Sequence, residues 1–149
     1  MRAVIQRVNT CKVIINENEY SCIKNGILIF LGIRNEDSTD DIDYLSKKIL
    51  NLRIFEDNNK KMNKSILDIS GQIMIVSQFT LYGDCKKGRR PSYMRAANPN
   101  YAKKLYDAFV EKIKKSDLVI KTGVFRADMK VVLENDGPIT ILIDSEKKL

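Results

Sequence analysis

The sequence predicts an α+β fold, a largely antiparallel β-sheet or open barrel carrying two main helices, and three features predict it. Roughly five segments rich in β-branched residues follow one another with short turns between them. Only two stretches switch to helical spacing, and each carries its own start signal. No repeat, low-complexity tract or Pro/Gly/Ser-rich linker interrupts the 149 residues, a length that suits one core better than two. Residues 1–149 therefore read as one continuous domain.

In order along the chain, Ala3 to Val8 and Lys12 to Ile15 alternate in part and form one strand with a bend near Asn9-Thr10. The run from Gly26 to Ile33 is short, apolar and glycine-flanked, which marks a buried strand. Ile42, Leu45, Ile49 and Leu52 then follow helical spacing behind Ser38-Thr39-Asp40-Asp41, which supplies a cap and early negative charge. Asp57-Asn58-Asn59 marks a turn, Ile73 to Leu81 returns to strand, and Gly83 to Arg95 reads as a loop. The second helix starts at the cap Asn98 with Pro99 in its first position. Ala102, Leu105, Phe109 and Ile113 form its apolar stripe. Val124 to Leu133 alternates as a strand, Asn135-Asp136-Gly137-Pro138 is a turn, and Ile139 to Ile143 is the last strand.

Composition narrows the function classes. The chain is 44% apolar and 30% charged, the balance of a soluble globular protein, and its longest apolar run falls far short of the ~20 residues that span a bilayer. No membrane association and no secretory signal are expected. Three widely spaced cysteines, Cys11, Cys22 and Cys85, without a CxxC pair fit reduced thiols in the cytoplasm. The sequence contains no histidine, which excludes Ser-His-Asp and Cys-His catalysis and any histidine-based zinc site. No cofactor and no metal are expected. A formal net charge of +7 fits a polyanionic partner or a lysine-rich composition equally.

Two segments carry polar groups where a ligand can meet them. Ser77-Gln78-Phe79-Thr80-Leu81 ends an apolar strand directly before a basic loop, and Phe79 can stack on a base. The plain alternative has Ser77 and Thr80 bonded to backbone and Phe79 in the core. In Asn135-Asp136-Gly137-Pro138, Asp-Gly is a common hairpin signal, but a proline directly after it enters the next strand without an N–H. A cis Gly-Pro bond accounts for that oddity. Lys86, Lys87, Arg89 and Arg90 are either a solvated charge run or a phosphate-binding loop. Cys85, beside Lys86 and Lys87, lacks any evident base to make it a nucleophile.

Several stretches together resemble the D-aminoacyl-tRNA deacylase family. They are residues 1–8 (MRAVIQRV), 51–57 (NLRIFED), 76–81 (VSQFTL), 88–93 (GRRPSY) and 135–140 (NDGPIT), which match in order and spacing over essentially the whole chain. The departures are few: Tyr93 stands where phenylalanine is more usual, and the Asn16 to Ser21 segment is undiagnostic. The resemblance implies a cytoplasmic homodimer that hydrolyses the ester between a D-amino acid and the 3′-terminal adenosine of tRNA. It implies that Ser77, Gln78 and Thr80 take the catalytic positions and that Phe79 and Met129 line the substrate pocket. It further implies a cis Gly137-Pro138 that reaches into the partner's active site, with Arg7 holding that motif. The basic loop residues Lys86, Lys87, Arg89 and Arg90 would then contact tRNA. Two competing classes are a non-catalytic nucleic-acid-binding module and a hydrolase of small D-amino acid esters.

Overall fold

The fold is described from a computed structural model and covers residues 1–148. It contains eight strands and two α-helices: β1 (Arg2–Ile15), β2 (Asn18–Ile23), β3 (Gly26–Gly32), α1 (Thr39–Leu50), β4 (Phe55–Glu56), β5 (Met62–Lys64), β6 (Gln72–Ser77), α2 (Pro99–Lys114), β7 (Ile120–Thr122) and β8 (Lys130–Asp144). A 3₁₀ turn, Phe79–Tyr82, follows β6. β4 and β5 form a small separate hairpin around the turn at Asp57.

The large sheet is organised by β1. Its residues 2–8 pair with β3 and its residues 11–15 with β2, while β8 runs along its other edge. Beyond β3 come β6 and β7, so the order is β2-β1-β3-β6-β7 with β8 on β1. Every ladder of β1 is antiparallel, whereas β3–β6 and β6–β7 are parallel. These parallel steps need crossovers, which α1 and α2 supply. Ser21 Oγ donates to Thr122 O at 2.8 Å, tying β2 to β7 and drawing the ends of the sheet toward each other.

β3 is apolar throughout because both of its faces are covered. Ile27, Ile29 and Leu31 pack with Ala3, Ile5, Ile73 and Ile75 against Leu45, Ile49, Leu105 and Phe109 of the helices. Leu28 points the other way, into a second cluster with Val8, Cys11, Val13, Ile23, Met74 and Val76. Full burial of a side chain such as Phe109 contributes on the order of 1.5–3 kcal/mol. Both helices start as their sequences predict. Asp41 accepts from the Ser38 amide at 2.7 Å while Ser38 Oγ accepts from Asp40 N, and Asn98 Oδ1 accepts from Tyr101 N at 3.0 Å with Pro99 in the first turn.

Three boundaries differ from the sequence reading. The strand read over 73–81 ends at Ser77: Gln78 N makes the last rung of the ladder to Leu31 O at 2.8 Å, and 79–82 then coil into the 3₁₀ turn. The strand read over 124–133 begins only at Lys130, and Asn135 to Pro138 is not a hairpin turn. β8 passes through that motif and stays on the same neighbour: Asn135 faces Val8 and Thr140 faces Gln6. Residues 136–139 therefore bulge out opposite Arg7 alone. The bend expected near Asn9-Thr10 is a smaller irregularity of the same ladder, with Asn9 skipped between Val8 and Thr10.

Candidate active site

At the carboxyl end of β6, beside the amino-terminal end of α2, lies a cavity of about 600 Å3. Ser77, Gln78, Phe79 and Met129 line it, so the structure brings these four sequence-predicted residues together. Open α/β crossovers place loop-borne polar groups at such strand ends. A larger hollow of about 930 Å3 between β2, α2 and β7 touches none of the predicted residues and is fringed by opposed charges such as Lys103 and Asp107, paired at 2.6 Å.

The 3₁₀ turn forms the rim. Leu81 N donates to Gln78 O at 3.3 Å and Gly83 N to Thr80 O at 2.9 Å. Bonding of this i to i+3 kind leaves the first amides of the turn, those of Phe79 and Thr80, without a backbone acceptor inside it. Gln78 Nε2 donates to the Thr80 hydroxyl at 2.5 Å, so Thr80 Oγ1 is the acceptor in that bond and its own proton is directed elsewhere. Thr80 is exposed, and the cavity lining does not include it. Phe79 is 55% exposed rather than in the core, and its ring meets Tyr93 edge-on at 5.1 Å. Opposite the turn, Met129 Sδ accepts from Val124 N at 3.4 Å.

Sequence reasoning missed much of the wall. Tyr93, Ala96, Ala97 and Ala102 close one side, and Phe125 to Asp128 close another. The alanines flanking the Asn98-Pro99 helix start were the available signal, since small side chains there leave room at the amino-terminal end of α2. Residues 125–128 gave none, because their apparent strand alternation hid a loop.

Gly137 and Pro138 form a second, separate feature. Their peptide bond is cis, Gly137 has φ +115°, and both residues are exposed. The bulge is held from beneath: Arg7 Nε lies 2.8 Å from Asp136 Oδ2, and Arg7 Nη1 donates to Ile54 O at 2.7 Å. Asn135 Nδ2 donates to Arg7 O and to Ile139 O, at 2.9 and 3.0 Å, and so closes the neck of the bulge. Arg7 is thus buried under the motif. Ser77 is level with Leu31 and hence Ala3, whereas the bulge is level with Arg7 and lies three strands away. Strand spacing and rise put the two motifs about 14 Å apart across the sheet and about 13 Å along it. Within one protomer they do not share a cavity.

Lys86, Lys87, Arg89 and Arg90 are exposed on a loop pinned at its neck by paired bonds between Asp84 and Ser92. None of the four has an acidic partner among the described residues. Cys22 and Cys85 are exposed, while burial pushes the Cys11 thiol up to about 11. No helix among the described residues is long and apolar enough to cross a membrane.

The sequence profile described as D-Tyr-tRNA(Tyr) deacylase matches residues 4–144. The chain belongs to this family. It is 59% identical over 148 residues to the D-aminoacyl-tRNA deacylase of Thermosipho melanesiensis and 54% identical over 147 residues to that of Clostridioides difficile, with 99% of each chain covered in both cases. Among solved structures, the c-Myc DNA unwinding element binding protein superposes with a TM-score of 0.91 at 40% identity, covering 97% of this chain and 98% of that one. A probable eukaryotic D-amino acid tRNA deacylase shares the fold, with a TM-score of 0.80 at 17% identity over 95% of this chain and 97% of the other. The family's fold is therefore the one described above, and the quoted segments 76–81 and 135–140 lie at its rim and its bulge.

Proposed function

We propose that this protein hydrolyses the ester bond of D-aminoacyl-tRNA in the cytoplasm, releasing the D-amino acid and free tRNA, and that residues 1–149 act as one domain in a homodimer. The observation that carries the reading is the 3₁₀ turn at the rim of the cavity, in a chain of this family. Ser77, Gln78 and Phe79 provide a wall for the terminal adenosine, and Met129 lines the opposite side. The Phe79 and Thr80 amides are the donors for the oxyanion that forms when water attacks the ester.

Catalysis needs no histidine in this scheme. An aminoacyl ester is already activated, and the neighbouring ribose 2′-OH assists the attack or positions the water, so orientation and oxyanion stabilisation supply the rest. Thr80 positions water and is not a covalent nucleophile, since no general base accompanies it.

Chirality is read by the other motif. The separation of Gly137-Pro138 from the turn is consistent with its insertion into the cavity of the partner subunit. Two carbonyls of the Gly-Pro unit hold the substrate's α-amino group and leave no room on one side of the α-carbon. An L side chain must enter that wall, whereas a D side chain points to solvent. Rejection by exclusion accepts many D-amino acids and also glycine, so glycyl-tRNA is a substrate too. Lys86, Lys87, Arg89 and Arg90 contact the phosphates of the acceptor end.

The test is deacylation of D-tyrosyl-tRNA and L-tyrosyl-tRNA side by side by the purified protein. Rapid loss of the D ester alone is expected. A second reading, a nucleic-acid-binding module without catalysis, is favoured by the four unpaired cations and by the name of the DNA unwinding element binding protein. It predicts tight, salt-sensitive binding irrespective of the aminoacyl group, with both esters intact.

A further inference from the structure

The turn that carries Gln78, Phe79 and Thr80 is too short to fix its own position. Four residues of 3₁₀ structure make few internal bonds of modest geometry. The turn leaves β6 at Ser77 and folds back over β3 toward β1, where three supports meet it. Gln78 N donates to Leu31 O. Gly32 lets the turn lie on bare backbone: a Cβ there would stand 3.0 Å from Leu81 Cβ and 3.1 Å from Gln78 O. The third support is Arg2. Its Nη1 donates to Leu81 O at 3.0 Å, its Nε donates to Asp144 Oδ2 at 3.2 Å, and its guanidinium lies 4.8 Å over the ring of Tyr82. Tyr82 and Asp144 are both buried, and Asp144 faces Arg2 directly across the β1–β8 ladder.

We propose that Arg2 is a positioning residue for the hydrolysis: by capping the Leu81 carbonyl and covering Tyr82, it fixes the height of the turn over β3. The Phe79 and Thr80 amides and the Thr80 hydroxyl are thereby held in register with the cavity. This inference rests on the function proposed above. Arg2 is not among the residues that line the cavity, so it acts through the turn. The device needs arginine. A planar guanidinium places donors on two acceptors at once and stacks on an aromatic ring, whereas a lysine ammonium can pair with Asp144 but cannot do all three together.

The experiment compares wild type with Arg2→Lys and Arg2→Gln in two measurements. In single-turnover deacylation of D-tyrosyl-tRNA, both variants are expected to lose about 10- to 100-fold in rate while the concentration of enzyme at half-saturation changes less than about twofold, because misplacement of about 1 Å costs this much without removing binding contacts. In amide hydrogen exchange, the Leu81 and Gly83 amides are expected to exchange at least about tenfold faster in the variants, with the β1–β3 amides unchanged. Added methylguanidinium should restore part of the rate to Arg2→Ala. A wild-type rate and wild-type protection in Arg2→Lys would overturn the proposal. So would a loss shared equally by rate and binding with faster exchange throughout the sheet, which would make Arg2 a general stabiliser. Should wild type itself leave D-tyrosyl-tRNA intact, the deacylase reading fails, and local exchange at Leu81 and Gly83 alone decides whether Arg2 fixes the turn.

Discussion

Arg2 and Arg7 lie on the same strand, and each divides its guanidinium between a loop carbonyl and an aspartate of β8. Arg2 donates to Leu81 O and to Asp144, whereas Arg7 donates to Ile54 O and forms an ion pair with Asp136. The surroundings differ. Arg2 supports a turn that also has backbone support from Leu31 and rests on Gly32. Arg7 stands under a bulge whose other ties are the Asn135 side-chain bonds and whose tip, Gly137-Pro138, is exposed. The concave motif is built into the sheet, and the convex one is propped on side chains. A projecting motif with few contacts in its own subunit is suited to making contacts in another, which is why the two are read as halves of one site contributed by two protomers.

The largest effects should come from separating those halves. Gly137→Ala places a Cβ 2.8 Å from Ile139 Cγ1 at a φ that side chains rarely adopt, and deacylation should fall by more than about 100-fold. A turn variant, Gln78→Ala with Phe79→Ser, should be similarly impaired. Mixed by co-refolding, the two inactive proteins should recover about a quarter of wild-type activity, since heterodimers hold one intact site each. No recovery would mean that bulge and turn do not meet across subunits.

Next in size is Arg7→Gln, which strips a buried prop from Asp136 and from Ile54 O. Thermal melting should report a loss of about 1–3 kcal/mol, with D over L discrimination weakened more than the rate on glycyl-tRNA. Equal losses on both substrates would show that Arg7 does not act through the bulge. Thr80→Ala is expected to cost no more than about tenfold in single-turnover rate. Near-complete loss with tRNA binding intact would instead make Thr80 the nucleophile.

The smallest effect concerns Glu146, which Arg34 meets at 2.6 Å and Arg95 at 3.4 Å. A hydrogen bond from Lys148, and then the bond from Arg34, hold its carboxyl down to about 2 from an ordinary 4.5. A depressed carboxyl stabilises the fold above pH 4.5, and this contribution is lost as the pH falls through that value toward 2. Melting temperatures of wild type and Glu146→Gln should therefore differ slightly at neutral pH and converge within that acid window. A gap of constant size across it would rule out this linkage.

What was legible in the sequence is what local chemistry decides. Ser38 with Asp41, and Asn98 with Pro99, mark helix starts by bonds made within four residues, and they hold in the structure. The glycine-flanked run of β3 is apolar because it is covered twice. The differences arise where a distant partner overrides a local signal. Phe79-Thr80-Leu81 has good strand residues, yet the ladder to β3 closes with the Gln78 N to Leu31 O bond, and the bare backbone of Gly32 leaves room for the chain to coil back over β3. Asn135-Asp136-Gly137-Pro138 has turn chemistry, yet the chain rejoins β1 beyond it, because Val8 and Gln6 were still free to pair. Within the cavity, Ser77, Gln78, Phe79 and Met129 could be named from motif resemblance. Tyr93 and residues 125–128 become wall only through the path of the loops that carry them.

The β1–β8 ladder has a consequence for how the molecule is made. Residues 2–14 find their partners among residues 130–144, so the strand that organises the sheet waits for the far end of the chain. Pairings so distant in sequence close late and slow folding relative to local ones. On the ribosome, α1 and the β4–β5 hairpin can form early, but neither Arg2 nor Arg7 can meet its aspartate until the last stretch has emerged. Turn and bulge should thus mature together, once residues 136–144 have left the ribosome, and a polypeptide interrupted before them would have neither in place.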